Sequence, residues 1–173
     1  MSTRPIASVL LTFFVTVSGP VWSSDTDMAK SYTELLAKSY AELFAPVQGA
    51  GAGKALHLIK PDAFLDKVKA KEPLVVLDVR TPAETDVYGV TLPGALMIPI
   101  NELFTPANLA RIPTDKTVVV LCLSGARATA AGTALRHIGF ENVYILKGGY
   151  KALVAYLDPI KANMPLEPAT TRE

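Results

Sequence analysis

The chain has 173 residues, 50% of them hydrophobic, which is enough for one domain with a sizeable core. Seventeen Lys and Arg against sixteen Asp and Glu give a formal charge of +1 and exclude the basic footprint of a nucleic-acid-binding protein. One cysteine and two histidines exclude a metal cluster of the usual His/Cys kind.

Residues 1–24 read as a secretory signal peptide. Arg4 gives the positive start, Ile6 to Val17 the apolar run, and Ser18-Gly19-Pro20 a break. Ser23 and Ser24 supply the small residues of a cleavage site, with Gly19 as a second option; Trp22 leaves with the segment. The run is too short for a stable membrane span, and an uncleaved anchor is the alternative reading. Arg4 is the only charged residue of the segment, so its removal leaves 16 basic and 16 acidic residues. Export implies an oxidising compartment, where a single cysteine avoids an internal disulfide and leaves an odd thiol that needs a role.

Residues 25–53 form an N-terminal helix and a linker. Ala29-Lys30-Ser31-Tyr32-Thr33-Glu34-Leu35-Leu36 is nearly repeated as Ala37-Lys38-Ser39-Tyr40-Ala41-Glu42-Leu43-Phe44. Two copies are too few for a solenoid. Tyr32, Leu35, Leu36, Leu43 and Phe44 fall near one helical face, which either packs on the domain or binds a protein partner. Pro46 to Gly53 reads as a flexible Gly/Ala linker.

Residues 54–158 alternate strand and helix. Ala55 to Ile59 predicts a strand, and Pro61 opens a helix to about Ala70. Leu74 to Leu77 is a buried strand ending at Asp78-Val79-Arg80, and Thr81 caps a short helix from Pro82. Leu92-Pro93-Gly94-Ala95 is a turn before a strand at Leu96 to Ile98. Asn101 caps a helical segment to Leu109, broken at Pro106. Val118 to Leu121 is a strand, Ala128 to His137 a helix stopped by Gly139, and Val143 to Leu146 the last strand. Gly148-Gly149 turns into a helix from Tyr150 to Leu157, and residues 159–173 are an irregular tail. Strands spaced by helices imply a mostly parallel sheet covered on both faces.

The chemistry concentrates in Cys122-Leu123-Ser124-Gly125-Ala126-Arg127. Cys122 ends a strand buried on both faces, where open α/β sheets bind ligands. The loop runs into a helix N-terminus, whose free N–H groups and dipole favour an anion. That setting lowers a thiol pKa and makes Cys122 nucleophilic; the other reading of the position is a small buried hydrophobe. His57 and His137 each stand alone and carry no assigned function. Asn142 forms no glycosylation sequon, because Tyr144 holds the third position.

In four stretches the chain resembles a single rhodanese domain. Leu77-Asp78-Val79-Arg80 resembles that family's strand-end acidic–basic motif, and Leu92 to Pro99 its proline–glycine turn and third strand. Cys122 to Arg127 resembles its active-site loop, and Gly139 to Tyr144 with Gly148-Gly149 its closing strand and turn. The resemblance implies a three-layer α/β fold, a five-stranded mostly parallel sheet with helices on both faces. It implies a sulfurtransferase that needs no cofactor and no metal. Cys122 takes a sulfane sulfur from a donor such as thiosulfate or a persulfide, and the persulfide passes it to cyanide, a thiol or a protein. Backbone N–H groups of Leu123 to Arg127 form a nest for the sulfur anion, and Arg127 holds an anionic donor. Asp78 and Arg80 pair to brace the loop. The implied partners are a small sulfur-donor anion and a thiol or protein acceptor, with no nucleic acid and no membrane span after cleavage. The Tyr32–Phe44 helix is a possible contact for a protein partner, and the resemblance places the exported protein in a bacterial periplasm.

Two positions depart from the family pattern. Leu123 stands where many of these sulfurtransferases carry a basic residue, which points to a less charged or protein-bound donor. Val90 replaces a histidine before the turn. The related cysteine–arginine phosphatases place five residues between the two; here there are four, too tight for a phosphate ringed by N–H donors. A catalytically idle binding module and a redox-sensing thiol are the readings from other classes.

Overall fold

A computed structural model describes residues 25–157. The expected signal peptide, residues 1–24, and the expected irregular tail, residues 159–173, lie outside the described residues, as does Asp158. The chain divides into two units between Lys38 and Ser39. In the first, residues 25–38 are helical, with the Thr33 hydroxyl donating to Ala29 O at 2.9 Å. They begin helix α1, Asp25–Phe44, so the near-repeat is one uninterrupted helix.

The second unit holds the sheet. Its elements are α2 (Ala52–Ala55), β1 (Leu58–Ile59), α3 (Pro61–Lys69), β2 (Leu74–Asp78), α4 (Pro82–Val87) and β3 (Leu96–Met97). Then follow α5 (Pro106–Leu109), β4 (Thr117–Leu121), α6 (Ala126–His137), β5 (Val143–Leu146) and α7 (Gly149–Tyr156). The five strands pair in parallel in the order β1-β5-β4-β2-β3. The three-layer α/β expectation is therefore met.

Period-two alternation assigns each strand residue a face. Val118 and Val120 of β4 share a core with Val143 and Ile145 of β5 and with Ala128, Ala131 and Leu135 of α6. Val119 and Leu121 turn to the other face, against Phe64 of α3 and Leu153 of α7. A strand buried this way on both faces reads as the continuous Val-rich run seen in the sequence. The alanines of α6 let that helix lie close to the sheet. Its Gly132 is closest: a Cβ there would sit 2.5 Å from Ile145 Cγ1.

Four boundaries differ from the sequence expectation. The strand expected from Ala55 is only Leu58–Ile59, because Ala52–Ala55 is a helical turn and His57 takes the left-handed region at φ +54°. The expected linker is partly structured, with a 3₁₀ turn at Gly49–Gly51 leading into α2. Asn101 caps no helix; Thr105 does, accepting from Asn108 N–H at 3.4 Å, with Pro106 at the first helical position rather than breaking it. Helix α6 begins at Ala126 instead of Ala128, straight out of the loop.

Within the second unit, the last turns of α1 pack on the body. The Tyr40 ring stacks on His137 with centroids 4.0 Å apart, and Ser39 Oγ lies 3.4 Å from His137 Nε2. His137 is thus a packing partner at the end of α6. His57 has a similar role: its Nδ1 donates to Val143 O at 3.0 Å and its ring stacks on Tyr144.

Candidate active site

Strand β4 delivers Cys122 to the carboxyl end of the sheet, one residue past Leu121. The thiol is buried, at 1% exposure, and is the only cysteine in the chain. Its Sγ accepts two backbone N–H groups, from Gly125 at 3.2 Å and from Ala128 at 3.4 Å. Ala128 lies in the first turn of α6, so the helix end that favours negative charge faces the sulfur. The loop needs Gly125, at φ +94°, to fold back on itself. A Cβ at that position would also press 3.2 Å from Gly148 N.

The loop carbonyls are held from the opposite side by α7. Tyr150 N–H donates to Cys122 O at 2.8 Å and Lys151 N–H to Leu123 O at 3.0 Å. Gly149, at φ +60°, makes this approach possible: a Cβ there would overlap Cys122 O and lie 2.6 Å from Gly125 N. Two helix N-termini therefore converge on the loop, one on its sulfur and one on its carbonyls.

Arg127 is committed to an acidic partner that the sequence reading did not name. Its Nη1 donates to Glu84 Oε2 at 2.7 Å and its Nη2 to Glu84 Oε1 at 2.5 Å. Glu84 also accepts the Thr81 N–H at 3.0 Å and hydroxyl at 2.8 Å, closing the N-terminus of α4 as a capping box. The Arg127 guanidinium, followed by the Thr81 N–H, holds the Glu84 carboxyl down to about 2. Arg127 in turn is raised above its ordinary value, first by Glu84 and also by the charge of the Cys122 sulfur. The guanidinium thus ties α4 to the loop and faces the sulfur.

Asp78 and Arg80 pair as expected. Both are buried, and Arg80 donates through Nε to both carboxylate oxygens at 3.0 Å and through Nη2 to Oδ2 at 2.7 Å. Nη2 also reaches Tyr88 O at 3.0 Å. The guanidinium carbon sits 5.0 Å from the Tyr88 ring centroid and 4.7 Å from that of Tyr150. Tyr150 also donates to Cys122 O, so one residue lies between the pair and the loop. Its hydrogen bonds to Asp78 keep Arg80 above its ordinary value, against the effect of burial.

Of the remaining loop residues, Ser124 and Ala126 are exposed at the rim and Leu123 is half-buried. Leu123 lines a cleft of about 540 Å³ with Tyr88, Tyr150, Lys151, Val154 and Ala155. The sequence reading missed Glu84, Ala128, Tyr88 and Tyr150. Only Glu84 left a local signal, the Thr81-x-x-Glu84 spacing of a capping box. The tyrosines join the site only through tertiary packing. Among the described residues, no group of three His, Cys, Asp or Glu is placed to hold a metal ion, and no helix is long and apolar enough to cross a membrane.

A strand-end thiol in a loop backed by two helix N-termini, on a five-stranded parallel sheet, defines a class of α/β proteins with a cysteine loop at the carboxyl end of the sheet. The rhodanese-like domain family matches residues 60–156, more than half of the chain, and the chain belongs to that family. It is similar to a sulfurtransferase of Allochromatium vinosum, 33% identical over 104 residues, which are 60% of this chain and 94% of that one. It is also 33% identical over 101 residues to a probable adenylyltransferase/sulfurtransferase, MoeZ, of Mycobacterium tuberculosis. That match takes in 58% of this chain but spans only 25% of MoeZ. Among solved structures, a rhodanese-related protein from Thermoplasma volcanium is similar at a TM-score of 0.51 and 28% identity, covering 60% of this chain and 95% of that one. At the level of the family, these likenesses support sulfur transfer.

Proposed function

We propose that the protein is a sulfurtransferase that carries sulfane sulfur as a persulfide on Cys122. The Cys122 thiolate attacks the terminal sulfur of a donor such as thiosulfate or a persulfide. A new S–S bond forms, the donor's own S–S bond breaks, and its bonding pair leaves with sulfite or a thiolate. The persulfide anion then occupies the loop, within reach of the N–H groups of Gly125 and Ala128. Cyanide, a thiol or a protein thiolate takes the outer sulfur and returns Cys122 to the thiolate. No electrons are gained or lost overall, so the cycle needs no cofactor.

The observation that carries this reading is the pair of N–H groups on Sγ, at 3.2 and 3.4 Å. Such donors favour an anionic sulfur and are wasted on an inert buried thiol. In this reading Ser124 and Ala126 frame the mouth of the loop and Leu123 borders the donor. Arg127 acts chiefly as a positioning residue, since Glu84 takes both terminal nitrogens, and it adds positive charge beside the sulfur. Asp78 and Arg80 position the loop from behind.

The test is thiocyanate release from thiosulfate, or from an organic persulfide, and cyanide, compared between the wild type and Cys122→Ser. Loss of release in the variant, with unfolding unchanged, supports the reading. Equal release from both proteins contradicts it, and a Cys122→Ser protein that keeps a biological role would instead identify a binding module. We further propose that residues 1–24 are removed on export to the periplasm. The mass of the protein recovered from a periplasmic fraction checks this: a mature chain starting near Asp25 is expected.

A further inference from the structure

The cleft beside the loop deepens the sulfurtransferase reading and rests on it. Its volume of about 540 Å³ is that of a site for an organic molecule and far exceeds what thiosulfate occupies. Leu123, Val154 and Ala155 line it with Tyr88 and Tyr150, and Lys151 is the one charged lining residue among the described residues. Lys151 makes no ion pair among the described residues. Val154 is 54% exposed and Tyr88 44% exposed, so apolar surface stands open to solvent next to the nucleophile's loop. Bringing a dianion out of water against such walls is unfavourable, and one solvated lysine offsets little of that. An apolar body whose single negative charge lies on the reacting sulfur fits them better, with its carbons on Leu123 and Val154 and its charged sulfur toward the loop.

We infer that this cleft binds the organic body of the sulfur donor, and that the donor class is a sulfane-sulfur monoanion with an aromatic or branched apolar group. Leu123 is then a specificity-determining residue: it replaces a charge at the loop with a wall of the cleft. The fit holds for an organic persulfide, R–S–S⁻, and for a thiosulfonate, R–SO₂–S⁻. In each case the Cys122 thiolate attacks the terminal sulfur and the S–S bond of the donor breaks. The bonding pair departs with R–S⁻ or with the sulfinate R–SO₂⁻, and the Cys122 persulfide anion remains. Charge and electrons balance without a further reactant.

Three donors with the same reacting sulfur test this on the full chain: thiosulfate, methanethiosulfonate and benzenethiosulfonate. The rate of sulfur gain on Cys122 is followed by intact mass. Benzenethiosulfonate is expected to react faster than methanethiosulfonate by about tenfold or more, the scale set by burying an aromatic ring. Val154→Asp, on the exposed side of α7, should bring that ratio near one, and Leu123→Lys should shift preference toward thiosulfate. Equal rates for the two thiosulfonates in the wild type overturn the inference, as does a ratio that neither variant changes. In both cases sulfur transfer itself survives. Failure of all three donors to place sulfur on Cys122 overturns the inference together with the reading beneath it.

Discussion

Removing the Asp78 carboxylate should unfold the protein far more easily than its small size suggests. The Arg80 side chain is wholly buried and the Asp78 side chain is 1% exposed. Three side-chain hydrogen-bond contacts from Arg80 end on this one carboxylate, and the Arg80 N–H adds another at 3.0 Å. In Asp78→Ala the guanidinium stays in the interior with Tyr88 O and two ring faces as its remaining partners. Breaking a buried pair this way costs about 3–5 kcal/mol. That is a large share of the roughly 5–15 kcal/mol by which domains are stable. It corresponds to a fall in Tm of roughly 6–20 °C at about 2–4 °C per kcal/mol. Urea unfolding of wild type, Asp78→Ala, Arg80→Met and the double variant Asp78→Ala/Arg80→Met measures it as a double-mutant cycle. The double variant should lose less than the two single losses added together, because it leaves neither charge stranded. An Asp78→Ala cost below about 1 kcal/mol, the range of an exposed pair, would refute the reasoning, as would strict additivity.

Other consequences follow from the contacts of the loop. The Glu84 carboxyl is held at about 2, below the ordinary carboxylate range, so its contribution is fully present above the ordinary value and is lost as pH falls toward about 2. Stability measured between pH 6 and pH 2.5 should therefore fall more steeply in the wild type than in Glu84→Gln; parallel curves would mean the Arg127 pair adds nothing. Gly149→Ala places a methyl on Cys122 O in a left-handed backbone, so the loop must shift. Persulfide formation should slow by roughly a hundredfold, the effect of about 1 Å of misplacement, while the far-UV spectrum is retained. Gly132→Ala drives a Cβ toward Ile145 and should lower stability by about 1–2 kcal/mol, overpacking partly offset by better helix propensity, as read from urea unfolding.

The fold was legible where the sequence carries a physical period. The Val-rich run before Cys122 and its partner at Leu74 declare strands buried on both faces, and Pro61 and Thr81-Pro82 mark helix starts. The position of Cys122 at a strand end and the Asp78–Arg80 pair were legible because strand ends and a glycine loop are local features. The start of strand β1 was not, since pairing of Leu58 and Ile59 with β5 defines it and no intrinsic pattern does. Pro106 was misread because proline both breaks and begins helices, and only its cap at Thr105 distinguishes the two. Glu84 meets Arg127 across 43 residues, and Tyr88 and Tyr150 meet over Arg80. Those encounters are products of the sheet order and have no signature in one stretch of chain.

The most direct test of the central claim is the intact mass of the protein before thiosulfate or benzenethiosulfonate, after it, and after cyanide. Persulfide chemistry predicts the gain of one sulfur atom located on Cys122, removed by cyanide with release of an equal amount of thiocyanate. Reversal by cyanide separates it from a sulfinic acid, which adds nearly the same mass and does not come off. No gain from either donor, with Cys122 slow to alkylate in the folded protein, would contradict the account.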